Sequence, residues 1–174
     1  MHRIVLVGYQ IRAAAFGYSF LVVGVHLWER QAGAVAFGLL ALQFVLYPQL
    51  VLLVARRARD GKRVELNAQY LDSFLLGGWT AGLGFPTWIA YAACFSTTLN
   101  AAVSRGLAGV ARSLVLFALG ALAWVVPAGF AYWSATSTLV TTLCFFGSLA
   151  YSSAIGCVLY RENKARYGRP TVRF

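Results

Sequence analysis

Acidic residues are scarce in this chain: five Asp and Glu stand against fifteen Lys and Arg in 174 residues, a net charge of +10. Charged residues of all kinds make up 11% and hydrophobic ones 60%, which leaves too little polar surface for an ordinary soluble domain. Long apolar runs separated by short charged breaks define a polytopic membrane protein instead. Excess positive charge in a soluble protein would suggest nucleic acid. Here the basic residues occupy the breaks between apolar runs, so the expected anionic partner is a lipid surface, with no nucleic acid. Three cysteines, Cys94, Cys144 and Cys157, lie in apolar segments without CxxC or other ligand spacing and read as packing residues. The two histidines, His2 and His26, fall at opposite ends of the first segment, which excludes a haem held between them. No HExxH, GxSxG, P-loop or GxGxxG occurs, so catalytic, cofactor and metal sites are all expected to be none, and the chain alone is not expected to be an enzyme. Met1 to Arg12 lacks the apolar core and small-residue cleavage site of a signal peptide, so the first apolar segment is expected to stay as a membrane helix.

What is present is a series of apolar segments: about Ala13 to Trp28, Ala34 to Ala55, Leu71 to Gly84, Pro86 to Val103, Arg112 to Val126 and Thr138 to Tyr160. Short breaks pair them, the second pair turning at Gly84-Phe85-Pro86, where proline suits a first helical turn and disfavours helix just before it. The expected fold is all-α: six transmembrane helices as three antiparallel hairpins. The third segment is short for a crossing, so its helix is extended back toward Asn67 to Tyr70 or tilted. Residues 1–160 form the membrane domain, and 161–174 begin a cytoplasmic linker. Helix-forming residues from Arg161 to Tyr167 let the sixth helix continue out of the membrane until Gly168 and Pro170 stop it, as in the front part of a longer protein.

Sidedness follows from the basic residues. Fourteen of the fifteen fall on the side of the two termini, with Arg30 alone opposite, so both termini are expected in the cytoplasm. Trp28, Trp88, Trp124 and Trp133 all land near the outer interface, where amphipathic rings favour headgroup depth, and Trp79 falls in mid-segment.

Few polar side chains interrupt the apolar segments. His26, near the outer end of the first helix and on one face with Glu29, Gln43 in the second and Asn100 in the fourth offer interhelical hydrogen bonds or ligand contacts. Pro48 falls inside the second helix, where it removes an amide donor and presses on the carbonyl of Phe44; a kink there shapes a helix or the wall of a cavity. Glu65 and Asp72, seven residues apart, share a helix face. With Asn67 they are expected to form a polar collar at the cytoplasmic edge, paired with Arg56, Arg57, Lys62, Arg63, Arg105 or Arg112 and worth orientation more than stability. Gly78 and Gly82 make a GxxxG, and Ser148, Ser152 and Gly156 repeat the four-residue step on the last helix; either stripe suits internal packing or a dimer seam.

Several of these residues together resemble the second type of membrane-associated sensor domain, the N-terminal membrane part of bacterial class III adenylate cyclases and diguanylate cyclases. The resemblance rests on Gly17, Tyr47-Pro48 with Leu50, the block ELNAQYLDS from Glu65 to Ser73 with Gly77 and Gly78, Phe85-Pro86, and Gly106. Tyr47 stands where tryptophan is usual, and Arg105-Gly106 where a double glycine is. The resemblance implies a homodimeric sensor and anchor in the bacterial inner membrane, controlling a cyclase domain in cis, adenylate ahead of diguanylate. That downstream domain would use Mg²⁺ or Mn²⁺ with ATP or GTP. Two other functions fit a small helical bundle: a transporter or channel, disfavoured by the absence of an acidic residue expected at mid-membrane, and a lipid- or quinone-binding module.

Overall fold

A computed structural model describes the backbone of residues 3–167. The expectations placed on His2, Gly168 and Pro170 lie outside the described residues. All regular elements among the described residues are helices: α1 (Arg3–Glu29), α2 (Ala34–Ala41), a π-helical turn (Leu42–Leu46), α3 (Tyr47–Arg57), α4 (Gly61–Gly82), α5 (Thr87–Ala128) and α6 (Thr138–Tyr167). Among the described residues, four stretches are long and apolar enough to cross a membrane: Gly8–Glu29, Ala34–Arg57, Thr87–Ala128 and Thr138–Arg161. The α4 helix is not among them, because its first half is polar.

Three differences from the sequence expectation have physical causes. Both α1 and α4 begin ten residues before their apolar runs, at Arg3 and Gly61, since hydropathy marks where a helix is greasy and not where it starts; the expected extension of α4 back toward Asn67 is present and goes six residues further. For α4 the start is set by Asp60, whose side chain accepts from the Arg63 amide at 3.0 Å as an N-cap. The second segment, expected to kink at Pro48, contains a π turn directly ahead of the proline. Proline cannot bond back to Phe44; the chain widens, and the Tyr47 amide bonds the Leu42 carbonyl, five residues back. That widening shifts the face on which Tyr47 lies.

The third difference concerns the fourth and fifth segments, expected to be separated by a loop from Val103 to Arg112. They form one helical stretch of 42 residues, interrupted only at Gly106 with φ 65° and ψ −156°. A straight helix of that length would run ~63 Å, about twice the thickness of a bilayer core. Gly106 reverses it, in a backbone conformation open to glycine at little cost. The two halves then flank α4. Residues 87–105 run antiparallel to it from the turn at Gly84 to Pro86, ending where Ser104 Oγ donates to Gln69 Oε1 at 2.8 Å. Residues 107–128 run parallel to it: the Ser73 and Ser113 hydroxyls meet at 2.8 Å, and Gly82 lies against the Trp124 ring.

The turn itself is tied down. Gly84 and Phe85 both have positive φ, 80° and 55°. The Phe85 amide bonds the Thr80 carbonyl at 2.9 Å, the Trp133 amide bonds the Gly84 carbonyl at 2.7 Å, and the Thr87 amide bonds the Ser134 carbonyl at 3.1 Å. Residues 129–137, which carry Trp133, are thereby pinned to the α4–α5 turn. At the same end Ser137 Oγ donates to Glu29 at 2.8 Å, and the Arg30 guanidinium lies 5.2 Å from the centroid of Trp133. The apolar core gathers Phe16, Val22, Val23 and Leu27 of α1 against Leu40, Phe44, Leu76, Ile89, Val140 and Cys144.

Candidate functional site

The helix face shared by Glu65 and Asp72 points inward. Their relative exposures are 4% and 6%, and that of Arg12, from α1, is 6%. Arg12 Nη1 lies 2.8 and 2.9 Å from the two oxygens of Glu65, and its Nε donates to Asp72 Oδ2 at 3.0 Å. The other Asp72 oxygen accepts from the Tyr47 hydroxyl at 2.7 Å. Three helices therefore meet on one charged cluster: α1 supplies the cation, α4 both carboxylates, and α3 the neutral donor.

This corrects the expected pairing. None of Arg56, Arg57, Lys62, Arg63, Arg105 and Arg112 holds either carboxylate; Arg12 holds both. In sequence Arg12 stands outside the first apolar segment and counts as a flanking charge. The pair is buried rather than exposed, so its energetics change: removing one partner strands a charge in a low-dielectric interior, at a cost of about 3–5 kcal/mol. The collar is also deeper than the edge. Tyr47 is ten residues, ~15 Å, from Arg57 along its helix, and Asp72 is bound at that level. An acidic residue therefore does sit well inside the bundle. Asn67, the third expected member, is exposed and outside the cluster.

Local sequence builds the cluster in two further ways. Gly8 leaves room for Glu65: a Cβ there would lie 2.7 Å from Glu65 Oε1. Tyr47 is aimed by the π turn before it and by Phe16, whose ring centroid is 5.9 Å away. Sequence reasoning missed both Gly8 and Arg12 as site residues. The signal for Arg12 is an unpaired cation within one turn of an apolar run in a chain with very few acids.

The remaining candidates disperse. His26 and Gln43 are buried, and His26 Nε2 and Gln43 Nε2 have no hydrogen-bond partner among the described residues. Asn100 is half-buried and borders a small polar pocket with Arg12, Glu65, Gln69 and Asp72. Pro48 and Pro86 are buried, one behind the π turn and the other capping α5. Gly78 and Gly82 face the second half of α5, at Gly120 and Trp124. The tightest approach involves Gly77 and Gly120, where an added Cβ would run into the backbone carbonyls of Phe117 and Phe74 respectively. On α6, Ser148 Oγ is buried without a partner among the described residues, Ser152 is half-buried, and Gly156 is exposed with nothing within 4 Å of an added Cβ. No group of three or more His, Cys, Asp or Glu able to hold a metal occurs among the described residues.

Beside the polar pocket lies a larger cleft of about 640 Å³ between α1, α4, the first half of α5 and α6. Val22, Val23, Phe44, Leu76, Trp79 and Cys144 give it an apolar lining. Ser19, Ser96 and Tyr151 border both spaces.

An inward-facing charged cluster tying three helices, in a bundle otherwise held by apolar contacts and glycine approaches, is the architecture of a helical membrane domain. The MASE2 domain family matches residues 8–96, which include Arg12, Tyr47, Glu65 and Asp72. The chain belongs to that family, a membrane-associated sensor domain. No curated protein and no solved structure matches it.

Proposed function

We propose that this domain anchors a nucleotide cyclase in cis to the bacterial inner membrane, holds it as a homodimer and tunes its output. The family match over residues 8–96 carries this reading, since domains of this kind are found in cyclases. The chain crosses the membrane six times: α1, the α2–α3 stretch, α4, each half of α5, and α6. Both termini are cytoplasmic, a topology supported by fourteen of fifteen basic residues lying on that side. Adenylate cyclase is the downstream activity we favour over diguanylate cyclase, with Mg²⁺ or Mn²⁺ and ATP or GTP as its requirements. Two catalytic domains held by a dimeric membrane part gain effective concentration without a new contact between them. The α6 helix, continuous to Tyr167, is the element that would pass a displacement in the bundle to a cytoplasmic domain.

The test compares the full-length gene with and without residues 1–160 at matched protein levels. Cyclic nucleotide formation and dimer content should both fall on removal. Unchanged values for both would overturn the reading.

A further inference from the structure

The large cleft has two compartments. Toward the end of the bundle marked by Leu83 and Ile89 it is apolar, with Trp79 in its wall. Toward the charged cluster it meets the small polar pocket at a throat where Ser19, Ser96 and Tyr151 stand with Ile11, Ala15 and Leu76, and Asn100 and the Arg12 cluster line the far side. A volume of about 640 Å³ falls among those of small-molecule sites, and an apolar body with a few convergent polar groups at one end is their usual form.

Charge narrows the choice of head group. Arg12 is engaged by two carboxylates, so the cluster behind the throat carries a formal charge of −1 and offers no free cation. An incoming carboxylate or phosphate would face that negative field in a low-dielectric interior. A cationic head would be drawn by that field, but Glu65 and Asp72 are held by Arg12 behind the throat, so at the throat it would shed its hydration beside neutral hydroxyls alone, at high cost. What the throat does offer is the hydroxyls of Ser19, Ser96 and Tyr151, with the amides of Gln69 and Asn100 behind them, which suit an uncharged donor or acceptor.

We propose that this cleft binds a single-chain amphiphile with an uncharged hydrogen-bonding head, a long-chain alcohol or ketone in chemical class. Its head sits at Ser19 and Tyr151, and its chain lies against Trp79. One wall is α6, through Cys144, Ser148 and Tyr151, so occupancy fixes the position of the helix that leaves the bundle. The site stands apart from the cyclase reading: binding is measured on this chain alone and holds or fails whether or not a cyclase is controlled.

The test uses the purified full chain in nanodiscs and quenching of Trp79 by a bromine at the far end of the probe. The probes are ω-bromododecanol, ω-bromododecanoic acid and ω-bromododecylamine. The alcohol should quench saturably, both charged probes at least about tenfold more weakly, and the saturable component should vanish in Trp79→Phe. Ala93→Phe, which fills the cleft from α5, should abolish it. Tyr151→Phe, which keeps the volume and removes one hydroxyl, should weaken the alcohol about fivefold or more with helicity and melting unchanged, which guards against a misfolded Ala93→Phe. Tighter binding of the acid or amine, or unchanged alcohol binding in Tyr151→Phe, would overturn the head-group assignment. Quenching that never saturates, or that brominated phospholipid produces and the alcohol fails to displace, would show a lipid-filled groove and overturn the site.

Discussion

Arg12 and Asp72, sixty residues apart in sequence, are joined by a hydrogen bond of 3.0 Å in the interior of the bundle. Glu65 shares the same guanidinium, so α1 is fixed to α4 at two points seven residues apart. The first prediction rests on the burial of all three. Arg12→Met leaves two carboxylates stranded, and Asp72→Ala leaves the Tyr47 hydroxyl with only the Ala68 carbonyl at 3.4 Å and one face of Arg12 unpaired. Each should cost about 3–5 kcal/mol in reversible unfolding in detergent or bicelles. The triple change Arg12→Met, Glu65→Leu, Asp72→Leu should recover most of that loss, because apolar residues of similar volume often replace a buried ionic cluster without penalty. If the triple variant is stable and dimeric but an attached cyclase no longer responds to the membrane domain, the cluster serves signalling; if output is normal, it serves folding.

Gly77 and Gly120 set the second prediction. Their α-carbons lie against opposing carbonyls, so Gly77→Val or Gly120→Val must push α4 and the second half of α5 apart, at about 3 kcal/mol. An added Cβ at Gly156 on α6 meets nothing among the described residues, so Gly156→Leu should leave the melting temperature unchanged. Loss of dimer in Gly156→Leu without loss of fold, read by cross-linking or by mass photometry in nanodiscs, would place the subunit seam on α6.

Much of this is legible in the chain, and the exceptions share a cause. That Glu65 and Asp72 share a face can be read from their spacing, and the GxxxG at Gly78 and Gly82 from its pattern. That the carboxylate face turns inward cannot, and neither can the partners of these residues. Arg12 stands just outside the apolar run that begins at Ala13, and only the helix extended back to Arg3 carries it inside. Gly120 sits in the run LFALGALAW with no second small residue at helical spacing that marks it more than its alanines. Pro48 does predict a disturbance, but a missing amide does not say whether the backbone bends or widens. Sequence records what each helix offers along itself; which face meets which neighbour is settled by packing.

The third prediction concerns Gly106. Its φ of 65° with ψ of −156° belongs to a region nearly reserved for glycine, so Gly106→Ala should cost about 1–3 kcal/mol. Because the strain acts where the two halves of α5 reverse, the same substitution should loosen the contacts of Ser104 with Gln69 and of Arg105 with Tyr70 beside it. Faster hydrogen exchange at residues 102–110, with the turn at Gly84 to Pro86 at the opposite end of the bundle unaffected, is the expected result.

The distance in sequence between Arg12 and its carboxylates also imposes an order on biogenesis. When α1 leaves the ribosome, Arg12 is an unpaired guanidinium four residues inside its apolar span Gly8–Glu29, where burial costs less than the about 2.5–3.5 kcal/mol of a helix centre but still favours the headgroups. Relief arrives only with α4, some sixty residues later, or ~3–12 s at ordinary rates of synthesis. The first crossing must therefore wait beside the translocon, or sit shallow with Arg12 at the headgroups, until α4 arrives to draw it to its final depth.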